Sequence, residues 1–278
     1  MVGTQGASGA DWTLDAAASL AYDDNLSRAS APVDVRADWG GAIAVSASSF
    51  AAPSALDALV VAIRGGAEVF HRYHGLDNGS IEATAAYRRK CGLGLEAPWL
   101  LLEASAAYYD YDVNLRTGPR FTLRAGFGKR FSDTLEARVA VFGEVRRSPY
   151  GEPEVPGTSG KVFDLSGRGI DVGGSYAITD DIAVAIDATW RRGDVVSTAS
   201  ETTQVIGKAT AIAEDPTFGE ELYDYRLRGI TRSAALTISR ALGSRASINL
   251  SYAAEKTSVG DGLDYRNNVV RLTFLYRH

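Results

Sequence analysis

The sequence predicts an all-β fold, a closed antiparallel transmembrane β-barrel of about twelve strands. Three observations predict it. Apolar and polar residues alternate with a period of two along the chain, and the alternating segments are long enough to cross a bilayer. Short and long connections between these segments also alternate. A chain of 278 residues suffices for one such barrel. No run approaches the ~18 consecutive apolar residues of a membrane-spanning helix, which excludes a helical membrane bundle.

The alternation is clearest between residues 135 and 146. The odd positions carry Leu, Ala, Val, Val, Gly and Val, and the even positions carry Glu, Arg, Ala, Phe, Glu and Arg. The same pattern recurs at 121–128, 182–189 and 270–277. Because successive side chains of a strand point to opposite faces, one face would meet lipid and the other a polar lumen.

Twelve alternating segments can be distinguished, and most reach the ~9–11 tilted residues that a transmembrane strand needs. A soluble β-sandwich, the main competing fold, favours strands of about 5–6 residues. The segments cover roughly 13–24, 33–47, 58–72, 79–93, 98–110, 120–131, 135–147, 165–177, 182–193, 223–241, 246–256 and 265–277.

The connections between the segments differ in length. Those after even-numbered segments are mostly tight, such as 178–181 and 242–245, although the first of them, 48–57, is longer. Those after odd-numbered segments are longer and more polar, and they include 147–164 and 194–222. Short periplasmic turns and long extracellular loops are the pattern of outer-membrane barrels. The sequence therefore predicts a bacterial outer-membrane location, with both ends of the barrel on the periplasmic side.

Aromatic residues fall near the ends of the predicted strands. Interfacial girdles of Trp and Tyr occupy these places in membrane barrels, although aromatic residues are also enriched in strands generally. We predict an aromatic girdle that includes Trp12, Tyr22, Trp39, Trp99, Tyr108, Trp190, Tyr252 and Tyr276.

Charged residues in the middle of the strands are predicted to face the lumen. Two arrangements are open: an arginine track that guides an anionic solute, or Arg–carboxylate pairs that fill the lumen, which the near balance of signs favours. Barrel size does not decide between them, because twelve strands fall between packed and open barrels. The predicted lumen-facing residues are Arg64, Glu68, Glu82, Arg88, Glu103, Arg124, Arg130, Glu136, Arg138, Glu144, Asp171, Asp187, Arg191, Glu255 and Arg271.

Composition narrows the function classes further. The net charge of −5 lacks the basic excess of nucleic-acid binders, so no nucleic-acid partner is expected. The single Cys91 cannot form an intramolecular disulfide. Residues 126–129 (GFGK) are not a phosphate loop, because they lie in a strand with no helix after it. We predict no cofactor.

The chain divides into a short N-terminal segment and the barrel. Residues 1–11 are small, polar and flexible in composition, and they show neither a basic region nor an apolar stretch of a signal peptide. We expect that a native leader has been removed or replaced, or that a longer protein precedes the barrel. Residues 12–278 form the predicted barrel domain.

Two short motifs resemble a known family. Residues 20–26 (LAYDDNL) resemble the end of the first strand in barrels from bacterial exopolysaccharide and exosortase gene clusters, the EpsL-like or β-barrel porin 2 group. Residues 265–268 (YRNN) and 272–277 (LTFLYR) resemble the last strand of such proteins. The barrel of surface lipoprotein assembly modifiers is a weaker resemblance, since those proteins carry a helical-repeat domain before the barrel. The resemblance implies a polysaccharide or a periplasmic export partner.

The C-terminus departs from the pattern of that family. Its members usually end in Phe or Trp, the last element of the signal read by the barrel assembly machinery, whereas this chain ends in His278. Tyr276 and Phe274, two and four positions earlier, keep the alternating part of the signal. We expect the barrel assembly machinery, outer-membrane lipid and lipopolysaccharide as partners.

Enzymatic sites are disfavoured by the residues present. Only His71, His74 and His278 are available to a Ser–His arrangement, and no phospholipase motif surrounds them. His71 and His74 are three apart, which places them on opposite faces of a strand, so a shared metal would need a turn and a ligand such as Glu68 or Asp77. We predict no catalytic site and no metal site.

Three functions from different classes follow from these observations. The first is a porin-like channel or export conduit for polar or anionic solutes, including polysaccharide. The second is a non-conducting barrel that anchors a partner or assists secretion. The third, which the residues disfavour, is a surface hydrolase.

Overall fold

A computed structural model describes residues 12–151, 157–260 and 262–278, so the predicted N-terminal segment 1–11 lies outside the described residues. Thirteen strands form a single sheet within the described ranges. Their bounds are β1 Trp12–Asp23, β2 Asp38–Ala51, β3 Asp57–Phe70, β4 Asn78–Lys90, β5 Trp99–Tyr111, β6 Gly118–Arg130, β7 Leu135–Arg146, β8 Leu165–Ala177, β9 Ile182–Ser200, β10 Ala211–Glu214, β11 Leu222–Leu242, β12 Ala246–Ser258 and β13 Asp264–Arg277.

The sheet closes on itself. Each barrel strand pairs antiparallel with its neighbours, β9 pairs directly with β11, and β1 pairs with β13. Closure leaves no unpaired edge along the twelve barrel strands, which satisfies the backbone in lipid. The predicted twelve-stranded antiparallel barrel is confirmed. The extra strand β10 is four residues long and pairs with the upper part of β11. It was too short to show periodicity.

Two strands differ from the prediction by more than three residues at an end. The second strand was predicted at 33–47 but spans Asp38–Ala51, because Pro32–Asp34 form a 3-10 turn and residues 48–51 continue the pairing with β3. The ninth was predicted to end at residue 193 but continues to Ser200, because β11 begins early enough to pair with it as far as Leu222.

The barrel wall has an apolar outer face. Large aliphatic side chains there are exposed, as at Ile43 (67%) and Ile186 (60%). An apolar belt of this extent suits an acyl-chain environment and would be a liability in water. The clusters of buried apolar residues lie elsewhere, in the connections and strand ends on the extracellular side.

The two ends of the barrel are unlike. One end has short turns, such as 131–134 and 178–181, and also holds the start of β1 and the end of β13. The other end has the long connections and three 3-10 helices, at Pro32–Asp34, His74–Leu76 and Asn114–Arg116. This is the predicted arrangement of periplasmic turns and extracellular loops. None of the helices among the described residues is long and apolar enough to span a membrane.

Candidate functional site: the barrel interior and its extracellular cap

The strand registers place the predicted lumen residues on the inward face. The exposed apolar side chains mark the outward face of each strand, and the charged residues have the opposite parity. Their part in conduction stays a prediction. The inward residues are Arg64, Glu68, Glu82, Arg88, Glu103, Arg124, Arg130, Glu136, Arg138, Glu144, Asp171, Asp187, Arg191, Glu255 and Arg271.

The inward faces of β5–β9 form an ion-paired wall. Arg124 bridges two carboxylates: its guanidinium lies 3.4 Å from Glu103 and 3.0 Å from Asp171. Asp171 also accepts a hydrogen bond of 2.8 Å from the hydroxyl of Thr189. Cross-strand pairing of this kind neutralises the charges and fixes long side chains against the wall.

The same wall contains a second triad and further ion pairs. Glu144 accepts from Arg120 and from Arg191, each at 2.5 Å. Arg138 donates to Asp187 at 2.7 Å. The sequence left open either an arginine track or Arg–carboxylate pairs in the lumen. On this wall the structure has the Arg–carboxylate pairs.

The opposite wall is lined by small and hydroxyl side chains, which leave room inside the barrel. Arg64 and Arg271 point inward beside this wall and are exposed, and the described residues include no ion pair to either. The paired Arg138 side chain is also 60% exposed. The lumen is thus accessible to water. The small-residue wall consists of Ala17, Ser19, Ala21, Ala42, Ala44, Ser46, Ser48, Ser233, Ala235, Thr237, Ser239, Ser247, Asn249, Ser251 and Ala253.

Trp99 was predicted for the outer aromatic girdle, and that placement is wrong. Its side chain faces inward and is only 6% exposed, with the Arg88 guanidinium 3.9 Å from the ring centroid. It lies directly opposite Gly128, whose missing side chain makes room for the indole ring. The sequence contained the correct orientation: Trp99 is an even number of residues from the inward-facing Glu103 on β5, and such residues lie on the same face of a strand.

The other girdle residues lie on the outward face. Tyr22 and Trp39 are directly opposite each other on β1 and β2, with ring centroids 4.9 Å apart. Membership of an interfacial girdle stays a prediction for this set. It contains Trp12, Tyr22, Trp39, Tyr108, Trp190, Tyr252 and Tyr276.

Residues 194–228 form a cap over the extracellular mouth. The cap comprises the end of β9, the connection with β10, and the start of β11. Its backbone N–H at Thr198 donates to the carbonyl of Ser27 at 2.8 Å, and the Ser200 hydroxyl donates to Asp34 at 2.7 Å. These contacts fasten the cap to the β1–β2 connection.

The cap also reaches the far side of the mouth. Its Phe218 ring lies 5.0 Å from the Tyr73 ring and packs against Leu76 in the β3–β4 connection. The N–H of Ile212 donates to the carbonyl of Ser159 in the β7–β8 connection at 2.9 Å. Contacts with connections from several sides of the barrel show that the cap covers the mouth.

A row of three glycines marks the place where the wall continues into the cap. Gly167, Gly193 and Gly229 are directly opposite one another on β8, β9 and β11. A Cβ at Gly193 would lie 2.5 Å from the Cα of Gly167. The strands therefore approach here in a way that only glycine permits.

A buried charge cluster joins the cap to the β5–β6 connection. Arg116 donates to Asp215 and, at 3.2 Å, to Asp224. Both carboxylate side chains are fully buried, and the guanidinium lies 4.6 Å from the Phe163 ring centroid and 5.7 Å from that of Phe218. A buried arginine that pairs with two carboxylates and contacts two aromatic rings holds the cap firmly in place.

One carboxylate of the cluster, that of Asp224, has a shifted pKa. Burial raises the pKa of Asp224 to about 7; Arg116 lowers it and the neighbouring Asp215 raises it. The Thr198 hydroxyl donates a hydrogen bond to Asp224 and stabilises the charged form. Sequence reasoning missed this cluster, because its residues come from connections about a hundred positions apart and no periodic pattern contains them.

The two motifs that suggested a family resemblance contact each other. Asp24 accepts hydrogen bonds from the backbone and side-chain nitrogens of Asn268, both at 2.7 Å. The Asn25 side chain donates to the carbonyls of Ala29 and Arg266 at 3.0 and 2.9 Å. The motifs thus fasten the first connection to the last strand, which is a structural task.

The histidine pair has an ordinary polar environment. His74 Nδ1 lies 3.1 Å from Asp77, and His71 Nδ1 lies 4.0 Å from Asp38. Across the described ranges there is no group of three or more His, Cys, Asp or Glu side chains that could hold a metal ion.

Comparison with known proteins identifies the fold. No protein-family model matches the chain, and no curated protein matches it in sequence. Among solved structures, an outer membrane channel from Pseudomonas putida F1 is similar over 100% of this chain and 99% of its own, with a TM-score of 0.58 and 8% identity.

Two other barrels are similar at the level of fold. The NanC porin matches 95% of this chain and 98% of its own, with a TM-score of 0.51 and 8% identity. The translocator domain of the autotransporter NalP from Neisseria meningitidis matches 95% and 87%, with a TM-score of 0.50 and 11% identity. The chain is a bacterial outer-membrane β-barrel, which agrees with the predicted location.

Proposed function

We propose that this chain is a porin-like channel for small polar and anionic solutes, closed by the cap in the described conformation. The observation that carries the proposal is the water-accessible lumen, in which inward-facing Arg64 and Arg271 are exposed rather than packed. A barrel with a purely structural role has no need of this space. The fold that it shares with a channel and a porin agrees with the proposal.

Anion preference would come from the unpaired arginines. Arg124 and Arg138 hold carboxylates, so their charges are compensated locally. Arg64 and Arg271 have no ion pair within the described ranges and remain available to a passing anion. Under the EpsL-like resemblance, the solute would be an acidic polysaccharide, and adding one to the bath would then block the current.

The cap supports a second candidate, a non-conducting barrel that serves as an anchor or assembly factor. It covers the mouth and is held by a buried charge cluster. In the first candidate the cap moves, and in the second it stays in place. Single-channel recording in planar bilayers separates the two candidates if the position of the cap is controlled.

A disulfide can control it. A Cβ at Gly75 would lie 3.0 Å from the Cβ of Thr217, and a disulfide needs about 3.5–4.5 Å, so a shift of about half an ångström between the two loops would accommodate the bridge. We would introduce Gly75→Cys and Thr217→Cys with Cys91→Ser, and record the same protein oxidised and reduced. Current steps after reduction and their absence after oxidation would support a gated channel. Correctly folded protein without steps in either state would refute the channel in favour of the anchor.

A further inference from the structure

The outward face of the barrel carries a cationic patch at its extracellular end. Six cations on β8, β9, β11, β12 and β13 share the outward parity of apolar residues lower on the same strands. Five of them are exposed and the Lys is partly exposed. The cationic patch consists of Arg168, Arg192, Arg228, Arg232, Lys256 and Arg266.

Like charges face each other directly within the patch. Arg168 is opposite Arg192, and Lys256 lies between Arg232 and Arg266 on adjacent strands. Like charges directly opposite in a sheet are destabilising. Such a cost is offset when an anion binds between the cations.

The chain supplies few counter-charges to the patch. Arg228 lies 3.6 Å from Asp194, and Lys256 lies 3.2 Å from Asp264. Six cations and two carboxylates leave an excess of 6 − 2 = +4 on a chain whose net charge is −5. In the described part of the chain, the other four cations of the patch form no ion pair.

The patch is confined to one side of the barrel. The outward residues at the extracellular ends of β2–β7 carry no positive charge, and most are apolar or aromatic, such as Trp39, Val69, Ile81, Tyr108 and Phe121. The charge is therefore not a general feature of this level of the wall. It marks one part of the circumference.

A pocket of about 1020 Å³ adjoins the patch. Arg168, Arg192 and Arg228 line it together with Asp194, the counter-charge of Arg228, and the apolar side chains of Leu123 and Ile230. Cations and an apolar surface are thus offered side by side. This combination suits a ligand that carries both anionic groups and alkyl chains.

We infer that the cationic patch binds the phosphates of lipopolysaccharide, a phosphorylated and acylated glycolipid of the outer leaflet. The patch lies on the lipid-facing side of the wall, directly above the apolar belt and on the side of the long loops, which is the level of outer-leaflet headgroups. Guanidinium groups bind phosphate oxygens in pairs of hydrogen bonds, which suits the arginine-rich composition of the patch. The inference does not depend on conduction through the lumen.

Binding of diphosphoryl lipid A to the refolded barrel in detergent tests the inference, with native mass spectrometry as the readout. The variant is Arg168→Gln with Arg192→Gln, and the matched control is Lys129→Gln with Arg240→Gln, two outward cations at the periplasmic end. The Arg168/Arg192 variant should fold, since removing facing like charges relieves repulsion. The control should fold because Lys129 and Arg240 face apolar residues and hold no ion pair across the described ranges. Heat-modifiable migration of the barrel on gels checks both.

We expect affinity for lipid A to fall at least tenfold in the Arg168/Arg192 variant and to change less than twofold in the control. Monophosphoryl lipid A should bind the wild-type barrel more weakly than the diphosphoryl form. Equal affinity of the two variants would overturn the inference. Equal binding of phosphatidylglycerol and lipid A would also overturn it, because any anionic headgroup would then suffice.

Discussion

Arg116 holds the cap, and its replacement by methionine is the sharpest test of how the extracellular mouth is closed. Methionine keeps an apolar stem between the Phe163 and Phe218 rings but removes the charge. Asp215 and Asp224 would then be buried next to each other without a cation. The closed cap should be much less stable, whereas the barrel wall should be unaffected.

The expected magnitude follows from the burial of the cluster. Removing one partner of a buried ion pair costs about 3–5 kcal/mol, because a buried charge is left uncompensated. At about 1.4 kcal/mol per factor of ten, the ratio of open to closed caps should rise by roughly a hundredfold or more. Neutralising the carboxylates in the same background, with Asp215→Asn and Asp224→Asn, should recover part of this loss.

Limited trypsin digestion of barrels in liposomes measures the open population, because cleavage requires a locally opened chain. Lys208 in the cap is the reporter site. The matched control is Arg147→Ala, an exposed arginine in a neighbouring connection whose side chain donates a hydrogen bond to the carbonyl of Arg146. Cleavage after Lys208 at the same rate in Arg116→Met and in the control would refute the claim that the cluster holds the cap.

Further predictions concern pH, the glycine row and the lumen. The raised pKa of Asp224 means that its protonation stabilises the closed cap, fully below the ordinary pKa of 3.8 and no longer once the pH has risen through about 7. Conductance should therefore be higher at pH 8 than at pH 5. The variant Asp224→Asn should remove this difference. Gly193→Val should make the cap sensitive to protease, because the valine side chain would collide with the Gly167 backbone. The control Gly79→Val should leave protease sensitivity unchanged, because a Cβ at position 79 meets nothing within 4 Å. Arg271→Gln should reduce anion preference in reversal-potential measurements and the outward Arg266→Gln should not; equal shifts in both would contradict a role for lumen charge.

The sequence alone determined the barrel and the faces of its strands. Alternation over stretches such as 135–146 is a local property that every strand repeats, so strand number, inward charges and the short and long ends could all be predicted. The alternation along β5 also indicated that Trp99 faces inward, but its location at a strand end suggested the outer aromatic girdle instead. The facing glycine at position 128, which makes room for the ring, is known only from the register.

Only the tertiary structure decided how the extracellular mouth is closed and which charged side chains form ion pairs. Arg116, Asp215 and Asp224 have no local pattern, because their association depends on how the cap packs against the β5–β6 connection over the mouth. Pairing of Arg124 with Asp171 likewise required the geometry across several strands. Period-2 alternation therefore fixes which way a strand side chain points, whereas long-range packing decides which groups it meets, and so whether the lumen is open.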